Sequence, residues 1–189
     1  MENLDPKTVF YWSEPVRKND AAFELFTAVC NRGLICSGLG QRTGYRDQCL
    51  RDVEATVEKY LRGYRIVPDK GANLSVIRQI REYLEGLRQE FTINLYPLGT
   101  EFQMKVWEEL RNIPYGETCS YSEIAEKIAC PKGQRAVGMA NNRNPLGVVV
   151  PCHRVIGKKG DLVGYAGGLG IKKMLLELEK QGKKESFYE

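Results

Sequence analysis

The break at Tyr96-Pro97-Leu98-Gly99-Thr100 constrains the fold of this chain most, because residue patterning changes character across it. A proline and a glycine so close together interrupt helix and strand alike, so the segment reads as a linker between residues 1–96 and residues 97–189. Before it, Ala22–Val29 and Leu34–Leu39 are apolar, β-prone runs around Asn31-Arg32-Gly33, a hairpin turn with glycine at a left-handed position. Helical spacing follows at Val53, Val57, Tyr60 and Leu61, stopping at Gly63, and again at Leu74, Ile77, Ile80, Leu84 and Leu87. Phe91, Ile93 and Leu95 alternate as a final strand. The first unit is thus an α/β scaffold without obvious chemistry.

The second unit is mainly helical. Phe102, Val106, Trp107, Leu110 and Ile113 share one helical face, ended by Pro114-Tyr115-Gly116, and Ser120-x-x-Glu123 forms a capping box for a short helix carrying Ile124, Ala125 and Ile128. Cys130-Pro131-Lys132-Gly133 makes a four-residue turn before a helix over Gln134 to Asn142, the layout of a helix-turn-helix but also of many plain packing units. Asn144-Pro145 turns the chain into Leu146–Val150, apolar enough to be buried, and Pro151 ends that run and presents Cys152. Six glycines between Gly157 and Gly170 suit a loop that passes close to a ligand. Met174, Leu175 and Leu178 mark a last helix.

Chemistry concentrates at Pro151-Cys152-His153-Arg154, where the single histidine of 189 residues stands beside a cysteine. Cysteine reacts as thiolate, which a neighbouring base or positive field can generate, and His153 and Arg154 are immediate candidates. Net charge is only +4, yet residues 127–160 hold Lys127, Lys132, Arg135, Arg143, Arg154, Lys158 and Lys159 and no carboxylate. That setting favours thiolate and attracts phosphates, making nucleic acid a leading partner. The six cysteines show no Cys-x-x-Cys spacing, so free thiols are expected rather than disulfides or a zinc ribbon. No apolar run approaches the roughly 20 residues of a membrane span, and Met1-Glu2-Asn3-Leu4-Asp5 lacks the pattern of a leader, so a soluble cytoplasmic protein is expected. On these residues alone a buried structural cysteine, a Cys-His hydrolase and a helix-turn-helix transcription regulator all stay open.

Over residues 99–179 the chain closely resembles the O6-alkylguanine-DNA alkyltransferases, also called methylated-DNA–protein-cysteine methyltransferases. The resemblance rests on Gly99-Thr100-x-Phe102-Gln103-x-x-Val106-Trp107, Ile113-Pro114-Tyr115-Gly116 with Ser120-Tyr121, Arg135-Ala136-Val137-Gly138, Asn144-Pro145, Pro151-Cys152-His153-Arg154-Val155 and Gly164-Tyr165-x-Gly167-Gly168. It implies an α+β protein of two domains, an RNase H-like α/β domain over 1–96 and a winged-helix-like domain with a helix-turn-helix over 97–189. The implied activity is stoichiometric, self-inactivating repair, in which an alkyl group on guanine O6, with O4-alkylthymine left open as a second substrate, moves to Cys152 of a monomer.

The resemblance also implies roles. His153 is the base, acting on Cys152 through water because neighbouring side chains on extended backbone diverge. Glu179 orients it, although Glu177 is hard to separate by local sequence. Tyr121 donates to guanine N3, Asn144 ties the two-helix unit to the acceptor turn, the backbone at Cys152 and Val155 holds the exocyclic amine, and Tyr165 with Ala166 walls the pocket. Arg135, flanked by Gln134 and Ala136, fills the gap left by a flipped nucleotide from the minor groove of double-stranded DNA. No cofactor and no zinc are expected. A non-catalytic alkylated-DNA-binding member of the family is the alternative, and such members lack the acceptor cysteine.

Overall fold

The computed structural model describes residues 4–185; residues 1–3, which open the N-terminal stretch read above, and 186–189 at the end of the second unit lie outside the described residues. Strands β1 (Thr8–Lys18), β2 (Ala21–Cys30) and β3 (Gly33–Gly40) form an antiparallel meander, and β4 (Arg65–Pro68) joins β1 in parallel, giving the order β3-β2-β1-β4. The β2–β3 hairpin falls at the expected turn. Gly33 takes a φ of +142°, and a Cβ there would lie 2.4 Å from the Asn94 carbonyl oxygen.

That close approach explains one correction. Residues 91–95 are no strand: only the isolated bridge Leu34–Leu95 forms, through Leu34 N–H to Asn94 O and Tyr96 N–H to Leu34 O, both at 2.8 Å. Farther along β3, Ser37 N–H donates to Pro145 O at 2.9 Å and Ser37 bridges Leu146. Two segments share the outer edge of β3, each pairing at one point. Strands β1 and β4 carry no expectation from sequence. Pro15 and Glu14 interrupt the apolar pattern of β1, and Pro15 is tolerated because β4 ends opposite Tyr11, so β1 has one neighbour there.

Helix α1 (Tyr45–Tyr60) covers one sheet face, burying Val53 and Val57 against Val9, Phe26 and Ile35. Helix α2 (Lys70–Glu85) covers the other; Asp69 caps it by accepting from Ala72 N at 3.1 Å, and Gly86 ends it at φ +83°. The remaining helices are α3 (Glu101–Arg111), α4 (Tyr121–Lys127), α5 (Gln134–Asn142) and α6 (Leu169–Glu185), with β5 (Cys119–Ser120) and β6 (Val155–Ile156) pairing in parallel. Reciprocal capping boxes, Thr100 with Gln103 and Ser120 with Glu123, start α3 and α4. The turn before α5 spans 128–133, longer than the four residues expected, because α4 ends at Lys127 and Ala129 adopts φ +57°.

The result is a mixed α+β fold with one continuous buried cluster on the α2 side. It runs from Phe23, Leu25 and Leu34 of the sheet through Ile80 and Tyr83 to Trp107, Val137, Leu146 and Leu175. Burying apolar side chains of both units in one core fixes α2 against the helical half, which brings a residue of the first unit to the site described next. Among the described residues no helix is long and apolar enough to cross a membrane.

Candidate active site

The segment leading into Cys152 is a knot of hydrogen bonds rather than a strand. All five residues Leu146–Val150 are buried, Val150 N–H donates to Leu146 O at 2.8 Å, and Asn144 clamps both ends, accepting from Leu146 N at 3.0 Å and donating to Val150 O at 2.9 Å. Val148 sits at φ +73°, a conformation that costs a β-branched residue about 1–3 kcal/mol and persists only where its surroundings impose it. Cys152–Arg154 then form a 3-10 turn, correcting the expected extended backbone. Successive side chains on such a turn point about a third of a revolution apart, so Cys152 and His153 still diverge. Asn141 Nδ2 donates to the Cys152 carbonyl at 3.3 Å.

His153 is fully buried, with Nε2 2.8 Å from Glu179 Oε1 and Nδ1 lacking a protein partner. Glu179, equally buried on α6, accepts from Arg154 Nε at 3.1 and 3.0 Å and from Arg154 Nη2 at 2.9 Å. Gly116 N–H at 3.0 Å and the Tyr83 hydroxyl at 2.5 Å complete its shell. Arg154 Nη1 donates to Ile113 O at 2.5 Å, so its guanidinium is spent on Glu179 and the backbone, not on the sulfur. Glu177 lies on the solvent side, 3.8 Å from Lys173. Helical period separates the two glutamates: residues 172, 175 and 179 fall on one stripe, and 177 does not.

Lys172 shares that stripe and is fully buried, donating through Nζ to Val155 O at 2.6 Å and Val163 O at 2.8 Å. Tyr121 O–H donates to the same Val163 carbonyl at 3.0 Å, and Val155 N–H bonds back to Cys152 O. A cavity of about 490 Å³ is lined by Cys152 together with Gly147, Tyr165, Ala166, Trp107 and Tyr45. On α5, Arg135 is exposed, Ala136 is half-buried, and Gln134 Nε2 donates to Pro131 O at 2.7 Å. The structure thus brings Cys152, His153, Glu179, Tyr121, Asn144, Val155, Tyr165 and Ala166 around one turn and its cavity, and places Gln134, Arg135 and Ala136 on the neighbouring outer helix.

A family model described as 6-O-methylguanine DNA methyltransferase, DNA binding domain, matches residues 101–181. The Mycobacterium leprae methylated-DNA–protein-cysteine methyltransferase is 51% identical over 131 residues, 69% of this chain and 78% of that protein. The chain belongs to the methylated-DNA–protein-cysteine methyltransferase family. The namesake from Methanosarcina acetivorans is 58% identical over 102 residues, 54% of this chain and 65% of its own length. Among solved structures, Mycobacterium tuberculosis O6-methylguanine methyltransferase matches with a TM-score of 0.74 at 38% identity, covering 92% of this chain and 93% of that one. The M. tuberculosis protein in complex with DNA matches with a TM-score of 0.71 at 37% identity, covering 93% and 94%.

Electrostatics in this methyltransferase site correct two expectations. The basic stretch does not by itself yield a thiolate: burial pushes the Cys152 thiol up, opposed by the Asn144 hydrogen bond and the Lys172 charge. Nor does Arg154 supply the positive field; Lys172 does, its own pKa lowered by burial to about 8 and supported by Cys152. Burial also lowers His153, against the pull of Glu179, so the imidazole rests neutral and can accept a proton. Burial works to raise Glu179, yet its bonds to His153 and Arg154 hold it down at about 2. Tyr121 and Tyr165 are raised by burial and by Cys152, and both remain phenols.

Tyr83, Lys172, Asn141 and the Arg154–Glu179 pair were not legible as site residues. Lys172 had a usable signal, a charged residue seven positions from Glu179 on an otherwise apolar helical stripe. Tyr83 had none, since it comes from the other unit.

Proposed function

We propose that this chain carries out direct-reversal repair of O6-alkylguanine in double-stranded DNA, with Cys152 as terminal acceptor. The observation that carries the reading is the buried Cys152 at a cavity, beside an imidazole whose Nε2 is bound to Glu179 and whose Nδ1 is unpartnered. Bridged by water, Nδ1 takes the thiol proton as sulfur attacks the alkyl carbon. The S–C bond forms as the C–O6 bond breaks, the electron pair passes into the purine, and Tyr121, turning from Val163 O to guanine N3, protonates the leaving base. The proton lost by the thiol restores the phenol, so the products are guanine and S-alkylcysteine. A thioether offers no hydrolytic exit, which limits each chain to one turnover.

The target lies inside the stack, so the nucleotide must be flipped, and the exposed Arg135, with Gln134 and Ala136 at the start of α5, fits a helix entering the minor groove with arginine filling the gap. Residues 1–96 serve as an RNase H-like scaffold and 97–189 as a winged-helix-like domain, with β5 and β6 as its small sheet. Tyr165 and Ala166 wall the base pocket, and the carbonyls of Cys152 and Val155, now bonded to Asn141 and Lys172, trade those donors for the guanine amine. The protein acts as a monomer inside the cell, without cofactor or zinc. Incubation with one equivalent of duplex carrying O6-methylguanine should restore guanine in the strand at wild-type Cys152 and leave the lesion intact with Cys152→Ala. Equal repair by both proteins overturns the reading.

A further inference from the structure

A buried phenol from the first unit closes the ionic network behind the acceptor. Tyr83 on α2 is fully buried, its ring 5.3 Å from that of Phe91 and edge-on to Tyr115 at 6.2 Å. Its hydroxyl donates to Glu179 Oε1 at 2.5 Å, the same oxygen lies 2.8 Å from His153 Nε2, and the phenol oxygen is itself 3.3 Å from Nε2. Three polar atoms therefore form a closed triangle excluded from solvent. A phenol has a single proton to give, and here it goes to the carboxylate. Nε2 consequently faces two acceptors, a carboxylate oxygen and a phenol oxygen whose proton is spent. Only the Nε2–H form of the imidazole satisfies both.

We propose that Tyr83 is a positioning residue for alkyl transfer: committed as donor to the Glu179 oxygen that also accepts from Nε2–H of His153, it takes up part of the carboxylate's charge and so keeps the imidazole a neutral base with its lone pair on Nδ1. The proposal rests on the repair reading above for what the base does, but the placement of the imidazole proton stands on geometry alone. Charged and titratable groups around His153 come from every neighbouring element: Glu179 and Lys172 from α6, Arg154 and Cys152 from its own turn, Tyr83 from α2, and Tyr115, whose ring lies 5.8 Å from the Arg154 guanidinium. Burial and the Glu179 charge push Tyr83 well up, so it does not ionise in competition. Without its O–H, Glu179 would direct more of its charge at Nε2–H, stabilising the imidazolium and raising the pH at which His153 becomes a usable base.

Because His153 is the single histidine of the chain, its ring nitrogens can be read directly by long-range ¹⁵N–¹H correlation in the full-length protein. The wild type should show a protonated Nε2 and an unprotonated Nδ1 at neutral pH. Tyr83→Phe should keep Nε2 protonated against Glu179 but shift the ring signals and show at least about a threefold rise in the proton affinity of the imidazole, with the acid limb of single-turnover methyl transfer moving up by the same factor. A protonated Nδ1 in the wild type overturns the proposal. So does a Tyr83→Phe protein with unchanged ring signals and acid limb and only a lower unfolding temperature, the behaviour of a purely structural tyrosine. Were the wild type to transfer no methyl group while its ring signals still changed with Tyr83→Phe, the repair reading would fail and the positioning of His153 would stand.

Discussion

The Cys152 turn and the outer face of α5 lie close together in the chain and are built on opposite principles. Around Cys152 nearly every polar atom is buried and bonded: Asn144 spans the turn, Glu179 gathers His153, Arg154, Tyr83 and Gly116, and Lys172 is held by two carbonyls. On α5, Arg135 is exposed and Met139 is 59% exposed, with no ion pair to Arg135 among the described residues. In the proposed reading the base and its ionic network are set before substrate arrives, as electrostatic preorganisation requires. In the same reading recognition forms only with DNA, where an unengaged Arg135 guanidinium loses nothing of the fold by moving. The two regions should therefore respond differently to substitution: the first in stability and chemistry together, the second in duplex engagement alone.

The largest effect is expected at Glu179. Glu179→Ala strands the buried Arg154 guanidinium, which should cost about 3–5 kcal/mol of stability by chemical denaturation and slow methyl transfer at least about 100-fold in single-turnover quench experiments. An undiminished stability would show that the network is not what holds α6 to the Cys152 turn. Its pH signature has a definite sign. The carboxyl titrates at about 2 when folded against 4.5 as its reference, so this stabilisation is present above about 4.5 and fades as pH falls toward 2. His153, lowered by burial, adds stability above its reference of 6.5 that is lost as pH drops below it. Acid unfolding of the wild type should thus begin below 6.5 and steepen below 4.5, and Glu179→Gln should remove the second phase.

Lys172→Met sharpens the contrast within the acceptor region. Removing the cation that opposes burial at Cys152 should raise the thiol further and slow transfer about tenfold at neutral pH, with the loss recovering as pH rises. A uniform loss at all pH values would assign Lys172 to loop anchoring instead, through Val155 O and Val163 O. Smallest in stability is Arg135→Ala, expected within about 0.5 kcal/mol of wild type. Repair of duplex DNA should fall about tenfold while reaction with a free alkylated base stays unchanged, since only the duplex needs flipping. Equal losses on both substrates would erase the division between the two regions.

Legibility from sequence divides in a related way. Elements written in contiguous residues could be read: the β2–β3 hairpin, both capping boxes, the helix face of Val106, Trp107 and Leu110, and the burial of Leu146–Val150. Features made by long-range pairing could not. Residues 91–95 alternate like a strand, but they meet the edge of β3 only at Leu34, and Pro145 and Leu146 meet the same edge at Ser37. Motif resemblance picked out Cys152, His153 and Glu179, which the structure brings to one place, and helical period would have separated Glu179 from Glu177. Tyr83 reaches Glu179 across 96 positions of sequence, and only the shared core of α2 with the helical unit brings it there.

The account stands on Cys152 as sole and terminal acceptor, and the chain contains its own control. Cys36 and Cys49 line the same cavity, Cys49 raised by burial to about 11 and Cys36 also pushed well up, and neither has the adjoining imidazole or the Lys172 charge that stand against burial at Cys152, so both should stay inert. Titrating the full-length protein with rising equivalents of O6-methylguanine duplex, followed by peptide mass analysis, measures this directly. The predicted result is a plateau at one added methyl group per chain, found only on the peptide holding Cys152. Consumption beyond one equivalent, or methyl groups on the peptides of Cys36 or Cys49, would contradict it.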